Sequence, residues 1–187
     1  GIPAICGLGE TLNSEFAGRT ADVDGEVGSV YIDPDELILA QFNEKFVKQQ
    51  EMRELLQTMK GQEDITLDGK KINVYCNIGS PEDVAAVLAN DGQGIGLFRS
   101  EFLYLAASDY PTEEEQFQAY KTVAAAMNGK RVIIRTLDIG ADKQVDYFNM
   151  NKEENPALGV RAIRICLNRP EVFKPQLRAL YRASAYG

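Results

Sequence analysis

The sequence predicts an α/β fold with parallel strands, and two observations carry that prediction. After residue 69, short apolar runs alternate with longer segments whose apolar residues recur at helical spacing. Glycines and helix-capping residues separate these segments from one another. The resulting order of strand, helix, strand, helix and strand implies parallel strands joined by right-handed crossovers.

The sequence of residues 1–33 predicts a β-hairpin, in a segment that is too small to bury a hydrophobic core of its own. Residues 20–23 and 29–32 flank the turn signal Asp24-Gly25. Chains below about 40 residues usually need staples or partners to stay folded. We therefore expect this segment to be the C-terminal end of a domain that begins upstream.

A long helix is predicted to follow, within a linker that we assign to residues 34–68. Asp33 and Pro34 form an N-cap and first-turn pair, and no helix breaker occurs before Gly61. At 1.5 Å per residue the helix would be about 40 Å long, which is enough to connect two domains. An ordinary long surface helix fits the same pattern equally well.

Residues 69–187 contain the repeating part of the pattern. Strands are predicted at 72–78, 95–98 and 131–137. One helix is predicted to begin at Ser80, with an apolar face of Val84, Val87 and Leu88. A second is predicted to begin at the capping box of Thr112 and Glu115. Further helical segments are predicted at 160–167 and 171–183.

Composition excludes several classes of function. The formal charge of −8 argues against a nucleic-acid partner. We find no apolar run long enough to span a membrane and no basic-then-apolar leader, so we expect no membrane insertion and a cytoplasmic location.

The chain has no histidine, which excludes a histidine general base or metal ligand within it. Cys6, Cys76 and Cys166 are predicted to be core residues, because their spacing suggests neither zinc nor disulfides.

Arginines mark the candidate site. Arg99 and Arg135 each follow a short apolar strand, and ligands of α/β folds bind at the carboxyl ends of strands. Guanidinium groups bind phosphate or carboxylate through paired hydrogen bonds, so the pattern predicts a site for a small anion. A surface ion pair with one of the acidic residues is the alternative for each arginine.

Further residues could complete this site. The loop at 138–143, Arg161 and Arg164 could add to the same edge, and Glu101 and Asp138 are candidates to orient arginine side chains. The glycines of residues 92–96 partly resemble a dinucleotide fingerprint, but they precede or lie in a strand instead of following one into a helix, so we discount that interpretation.

Longer motifs carry a resemblance to a known family. Residues 94–105, 111–117, 134–143, 154–164 and 178–185 resemble Enzyme I of the bacterial sugar phosphotransferase system. Two earlier segments resemble the end of that family's swivelling phosphohistidine domain. They are Gly1-Ile-Pro-Ala-Ile5, at the start of the chain, and Val23-Asp-Gly-Glu-Val-Gly28. The resemblance implies that residues 69–187 form the first three βα units of a partial (β/α)8 (TIM-type) barrel.

The resemblance also implies an activity. Members of the family are phosphoenolpyruvate-dependent kinases that phosphorylate their own histidine and pass the phosphoryl group to a small histidine phosphocarrier protein for sugar uptake. They bind magnesium and form homodimers. By motif, Arg99 and Arg135 match phosphoenolpyruvate-binding residues, with Arg161, Lys143 and Asp138 as possible site residues.

The sequence departs from the family pattern in several places. The family's phosphorylated histidine, its magnesium carboxylates and its catalytic cysteine lie in motifs that this chain does not contain, so we expect no catalytic residue and no metal ligand here and no turnover by the chain alone. Ala141 replaces a usual glycine. A fragment of a pyruvate phosphate dikinase or phosphoenolpyruvate synthase is one alternative, and a non-catalytic anion-binding or interaction module is another.

Overall fold

The computed structural model describes residues 2–140 and 145–187, and the chain divides into two compact units, Gly1–Met59 and Lys60–Gly187. In the first unit, strand β1 (Ala21–Asp24) pairs antiparallel with β2 (Ser29–Ile32), which confirms the predicted hairpin. The Asp24 side chain accepts a hydrogen bond from the backbone N–H of Glu26, at 3.0 Å, and so stabilises the turn.

Helix α1 (Glu36–Thr58) follows the hairpin, but the predicted N-cap is wrong by two residues. Asp35 caps the helix, with its Oδ1 accepting from the backbone N–H of Ile38 at 2.9 Å. Asp33 cannot serve because its own N–H donates to the carbonyl of Thr20 at 2.8 Å, which keeps it with the hairpin in a left-handed conformation. None of the residues in α1 is buried.

The second unit contains a parallel sheet, as predicted. Its strands are β3 (Cys76–Ile78), β4 (Ile95–Arg99) and β5 (Val132–Arg135), in the order β3-β4-β5. Strand β3 is shorter than expected because the N–H of Ile72 donates to the carbonyl of Asp64 in a separate turn.

Helices lie between the strands and after the last one. They are α2 (Val84–Ala89), α3 (Glu101–Leu105), α4 (Glu113–Met127), α5 (Ile163–Asn168) and α6 (Pro170–Ala183). The capping box of Thr112 and Glu115 opens α4 as predicted. Leu88 is 45% exposed, so its assignment to the apolar face of α2 is wrong, and α3 was not anticipated.

One face of the sheet packs on α4 and α6. This core includes Ile95 and Phe98 of β4 together with Tyr120, Met127 and Ala179 from the helices, all fully buried. On the opposite face, Ile133 of β5 is 47% exposed. Among the described residues, helices α4 and α6 therefore cover one face of the sheet, and the opposite face is open at Ile133.

The glycines before and within β4 have a packing reason. A Cβ added at Gly94 would lie 2.7 Å from the carbonyl oxygen of Arg131, and one at Gly96 would lie 2.9 Å from the Cβ of Tyr75. Close approach of neighbouring chain segments thus explains this glycine pattern.

The cysteines differ in their surroundings. Cys166 is buried and Cys76 half-buried, but Cys6 is exposed, so its assignment to a core is wrong. Among the described residues, we find no helix with the length and apolar character that crossing a membrane requires.

Replacing Gly94 with alanine should destabilise the second unit. The new methyl group would collide with a backbone carbonyl that cannot move without disturbing the sheet. We expect Gly94→Ala to lower the free energy of unfolding by about 1–3 kcal/mol. Urea denaturation followed by circular dichroism measures this change.

Gly79→Ala is the matched control, because the nearest atom to its new Cβ belongs to the ring of Phe102, a 41%-exposed side chain that can shift. We expect a smaller loss for this variant, below about 1 kcal/mol. Equal losses for the two variants would contradict the packing explanation.

Candidate anion-binding site

Two arginines end neighbouring parallel strands in register. Arg99 is the last residue of β4 and Arg135 the last of β5, and the two are Cα partners across the ladder. Adjacent strands lie about 4.8 Å apart, and partners in register present their side chains to the same face. The strand order therefore brings two cationic side chains side by side at the carboxyl edge of the sheet.

Arg135 is held by carboxylates. Its Nη2 contacts a carboxylate oxygen of Glu101, and its Nη1 lies 2.9 Å from Oδ2 of Asp138. Glu101 is the first residue of α3, and its side chain is only 3% exposed. A carboxylate removed from water in this way is stable only beside a cation, so the chain turn after β4 fixes Arg135 in one orientation.

Asp138 connects this pair to a third arginine. Its Oδ1 lies 3.4 Å from Nη2 of Arg161, while its other oxygen binds Arg135. The structure thus brings together three of the predicted site residues, Arg135, Asp138 and Arg161. Lys143 lies outside the described residues.

Arg164 does not join the site. Its Nη1 donates instead to the backbone carbonyls of Leu158 and Gly159, at 2.7 and 2.5 Å. This arginine therefore stabilises the loop before α5, as an ordinary structural cation would.

Arg99 differs from Arg135 in its surroundings. Its guanidinium stacks on the ring of Phe102 at 4.8 Å, and within residues 2–140 and 145–187 no carboxylate forms an ion pair with it. The two arginines share one feature, because the Nε of each is buried without a hydrogen-bond partner among those residues. Arg99 also lines an open cavity of about 1120 Å³, together with the turn from Gly79 to Asp83. Arg135 does not line this cavity, so we locate the candidate site by the paired strand ends and not by the cavity.

Asp83 contributes a negative charge on the Arg99 side. Its carboxylate accepts hydrogen bonds from the backbone N–H groups of Gly79 and Ser80, at 2.8 and 3.0 Å. These bonds, with a smaller effect of the charge of Arg99, lower the pKa of Asp83 below its ordinary value. Asp83 is thus an ionised neighbour of Arg99 at neutral pH.

Sequence reasoning missed the buried polar residues beneath the arginines. Ser100 and Gln176 are both fully buried and hydrogen-bonded to each other. Gln176 occupies the core-facing stripe of α6, alongside Val172, Ala179 and Ala183. A polar residue at an apolar position of the helical period is a signal that could have identified it.

The described residues do not fit a magnesium site. No group of three or more histidine, cysteine, aspartate or glutamate side chains among them could hold a metal ion. The two carboxylates nearest the strand ends, Glu101 and Asp138, already bind arginines.

An arginine without an ion pair at the strand ends favours an anion. The arginines Arg99, Arg135 and Arg161 are matched in number by the carboxylates of Asp83, Glu101 and Asp138. Among the described residues, however, no carboxylate forms an ion pair with Arg99, which lines the open cavity. Arginine forks match the oxygen geometry of phosphate and carboxylate groups. A small ligand that carries such a group fits this edge of the sheet.

Comparison with known families agrees with this chemistry. The family described as "PEP-utilising enzyme, PEP-binding domain" matches residues 53–187. The chain belongs to this family. PEP is phosphoenolpyruvate, a compound with one phosphate and one carboxylate group, so the family's ligand has the chemistry that the paired arginines favour.

Curated relatives match the whole chain. It is 48% identical over 186 residues to a phosphoenolpyruvate-protein phosphotransferase of Staphylococcus carnosus, 47% identical to one of Staphylococcus aureus, and 45% identical to one of Priestia megaterium. Each alignment covers 100% of this chain but 32% of the relative, so the chain spans about a third of the relatives' length.

Removing the charge of Glu101 should destabilise the second unit. Glu101→Gln keeps the side chain's shape but deprives Arg135 of its buried anionic partner. Hydrogen bonds to charged groups contribute about 1.5–3 kcal/mol, so we expect a loss of about 2 kcal/mol in the free energy of unfolding. Urea denaturation at neutral pH measures it.

The matched control is Glu63→Gln, which alters an exposed ion pair with Lys71 at 3.9 Å. Exposed pairs contribute about 0–1 kcal/mol, so this variant should unfold almost like the unmodified chain. A Glu101→Gln variant as stable as the control would show that Arg135 does not depend on Glu101.

Proposed function

We propose that this chain is the central part of a phosphoenolpyruvate-protein phosphotransferase and supplies part of its phosphoenolpyruvate site. The observation that carries the proposal is the register of Arg99 with Arg135 at the carboxyl edge of a parallel sheet. Its support is the family match over residues 53–187 and the names of the relatives that align with the whole chain.

In this proposal the two strand-end arginines bind the phosphoryl oxygens. Phosphoryl transfer asks a protein mainly to position the group and to neutralise charge that spreads over its oxygens. Arg99 forms no ion pair among the described residues, so its guanidinium is available to the ligand. The guanidinium of Arg135 is oriented by its ion pairs with Glu101 and Asp138. Arg161 and Lys143 would bind the remaining oxygens of the ligand, with Asp138 orienting Arg161.

The acceptor of the phosphoryl group would be a histidine on another segment, because this chain contains none. The ligands of magnesium would come from residues other than those that the structure describes, because these contain no group of side chains that could hold a metal ion. We further propose the histidine phosphocarrier protein as the next acceptor, sugar uptake as the process served, and a cytoplasmic homodimer as the working form.

The same proposal assigns the domains. Residues 1–33 would end a phosphohistidine domain, residues 34–68 would form a linker, and residues 69–187 would form the first three βα units of a (β/α)8 barrel. Among the described residues, the outer edges of β3 and β5 have no neighbouring strand, and Ile133 is exposed on the open face. Parallel sheets are normally covered on both faces, which supports further strands curving around that face.

A chimeric enzyme tests the proposal. This chain would replace the 186 aligned residues of the Staphylococcus carnosus phosphotransferase, and phosphoryl transfer from phosphoenolpyruvate to the phosphocarrier protein would be measured. We expect an active chimera. A folded chimera without activity would contradict the proposal and favour a dikinase fragment or a non-catalytic anion-binding module.

Arg135→Ala in the active chimera should lower kcat/KM for phosphoenolpyruvate about 100-fold or more, because it removes a preorganised donor to the transferred group. Arg178→Ala is the control, since within the described part of the chain Arg178 forms a long ion pair with Glu113, at 3.9 Å, and lies away from the strand ends. Equal activities of the two variants would remove Arg135 from the site.

The chain alone should not turn over phosphoenolpyruvate. It contains no histidine to accept the phosphoryl group. Incubation with phosphoenolpyruvate, magnesium and the phosphocarrier protein should release no pyruvate above the rate without protein. Steady release that scales with the chain's concentration would contradict this account.

A further inference from the structure

We propose that Gln176 is a positioning residue for the proposed phosphoenolpyruvate site, holding the ends of β4 and β5 at the spacing that lets Arg99 and Arg135 bind one phosphate together. This inference rests on the proposed function. Gln176 does not touch the arginine side chains, and it acts through the backbone that carries them.

The amide group of Gln176 bonds to both strand ends. It lies on α6, and its side chain is fully buried. Its Oε1 accepts from the backbone N–H of Leu137 at 2.9 Å, two residues after Arg135. Its Nε2 donates to Oγ of Ser100 at 3.1 Å, one residue after Arg99.

Ser100 completes the connection across the sheet. Its hydroxyl donates to the backbone carbonyl of Arg135 at 2.6 Å, while its oxygen accepts from Gln176. The regular pairing of β4 with β5 ends at Arg99 and Arg135. The Ser100 hydroxyl therefore extends the contact between the two strands one residue past their last paired residues.

A second glutamine supports this network from α4. Nε2 of Gln176 also donates to the hydroxyl of Tyr120 at 3.1 Å, and that hydroxyl donates to Oε1 of Gln116 at 3.2 Å. Burial raises the pKa of Tyr120 to about 12, so the phenol stays protonated and uncharged. The whole connection beneath the arginines is thus neutral.

A neutral connection suits this place because the side chains above it repel each other. Two guanidinium groups on neighbouring strands favour separation of the strand ends. Of these two arginines, Arg135 has carboxylate partners among the described residues, and Arg99 forms no ion pair there. Buried and fully bonded polar networks rigidify their surroundings without adding charge. Gln176 therefore preserves the spacing of the strand ends and adds no charge beneath the ligand.

Gln176→Met tests the proposal in the chimeric enzyme described above. Methionine fills a similar volume but forms none of the three hydrogen bonds of Gln176. Displacements of about 1 Å can cost 100-fold in rate, so we expect kcat/KM for phosphoenolpyruvate to fall about 10-fold to 100-fold. The KM for the phosphocarrier protein should stay unchanged, because the substitution alters the spacing of the two arginines that we propose as the phosphoenolpyruvate site.

Tyr147→Phe is the control. Tyr147 packs against the other core cluster of the second unit, and its hydroxyl donates to the backbone carbonyl of Tyr104 at 2.6 Å, a contact that includes neither Gln176 nor Ser100. We expect a lower melting temperature with little change in KM for phosphoenolpyruvate. A purely structural role of Gln176 would give both variants the same kinetic constants, and that result would overturn the proposal.

Ser100→Ala gives a second test that removes only one hydroxyl, should Gln176→Met fail to fold. It should raise KM for phosphoenolpyruvate in the same direction as Gln176→Met, and an unchanged KM would overturn the proposal. The unmodified chimera separates the two levels of inference. An active chimera whose Ser100 and Gln176 variants behave like the control refutes the positioning role alone, whereas an inactive unmodified chimera refutes the proposed function and this inference with it.

Discussion

The structure of the second unit depends on accommodating two like charges at adjacent strand ends. Arg99 and Arg135 are partners in a parallel ladder, so the backbone geometry that forms the sheet also brings their side chains together. The buried carboxylate of Glu101 offsets the charge of Arg135, while Arg99 rests on the face of Phe102. One arginine is thereby neutralised and fixed, and the other keeps its charge available for an anion.

The surrounding fold supports this asymmetry. Helix α3 begins one residue after Ser100 and places Glu101 under Arg135, and the residues that follow β5 bring in Asp138. Helices α4 and α6 cover one sheet face and contribute Gln116, Tyr120 and Gln176 beneath the strand ends. The charged contacts therefore lie at the edge of the sheet, and the neutral ones lie below it.

The sequence allowed the parallel order and the strand-end arginines to be predicted, because apolar runs, glycines and capping residues are local signals. Other features depend on contacts distant in the chain. The N-cap of α1 moved to Asp35 because Asp33 bonds to Thr20, and β3 begins late because Ile72 bonds to Asp64. The role of Gln176 requires the bonds to Ser100 and Leu137, and no local pattern contains those.

A crystal structure of the chimeric enzyme with phosphoenolpyruvate bound would show whether Arg99 and Arg135 bind one phosphate together. We expect phosphoryl oxygens of one ligand to lie within hydrogen-bond distance of both guanidinium groups, those of Arg99 and Arg135, with Glu101 still bound to Arg135. A ligand whose phosphate contacts neither arginine, or only one of them, would contradict this expectation.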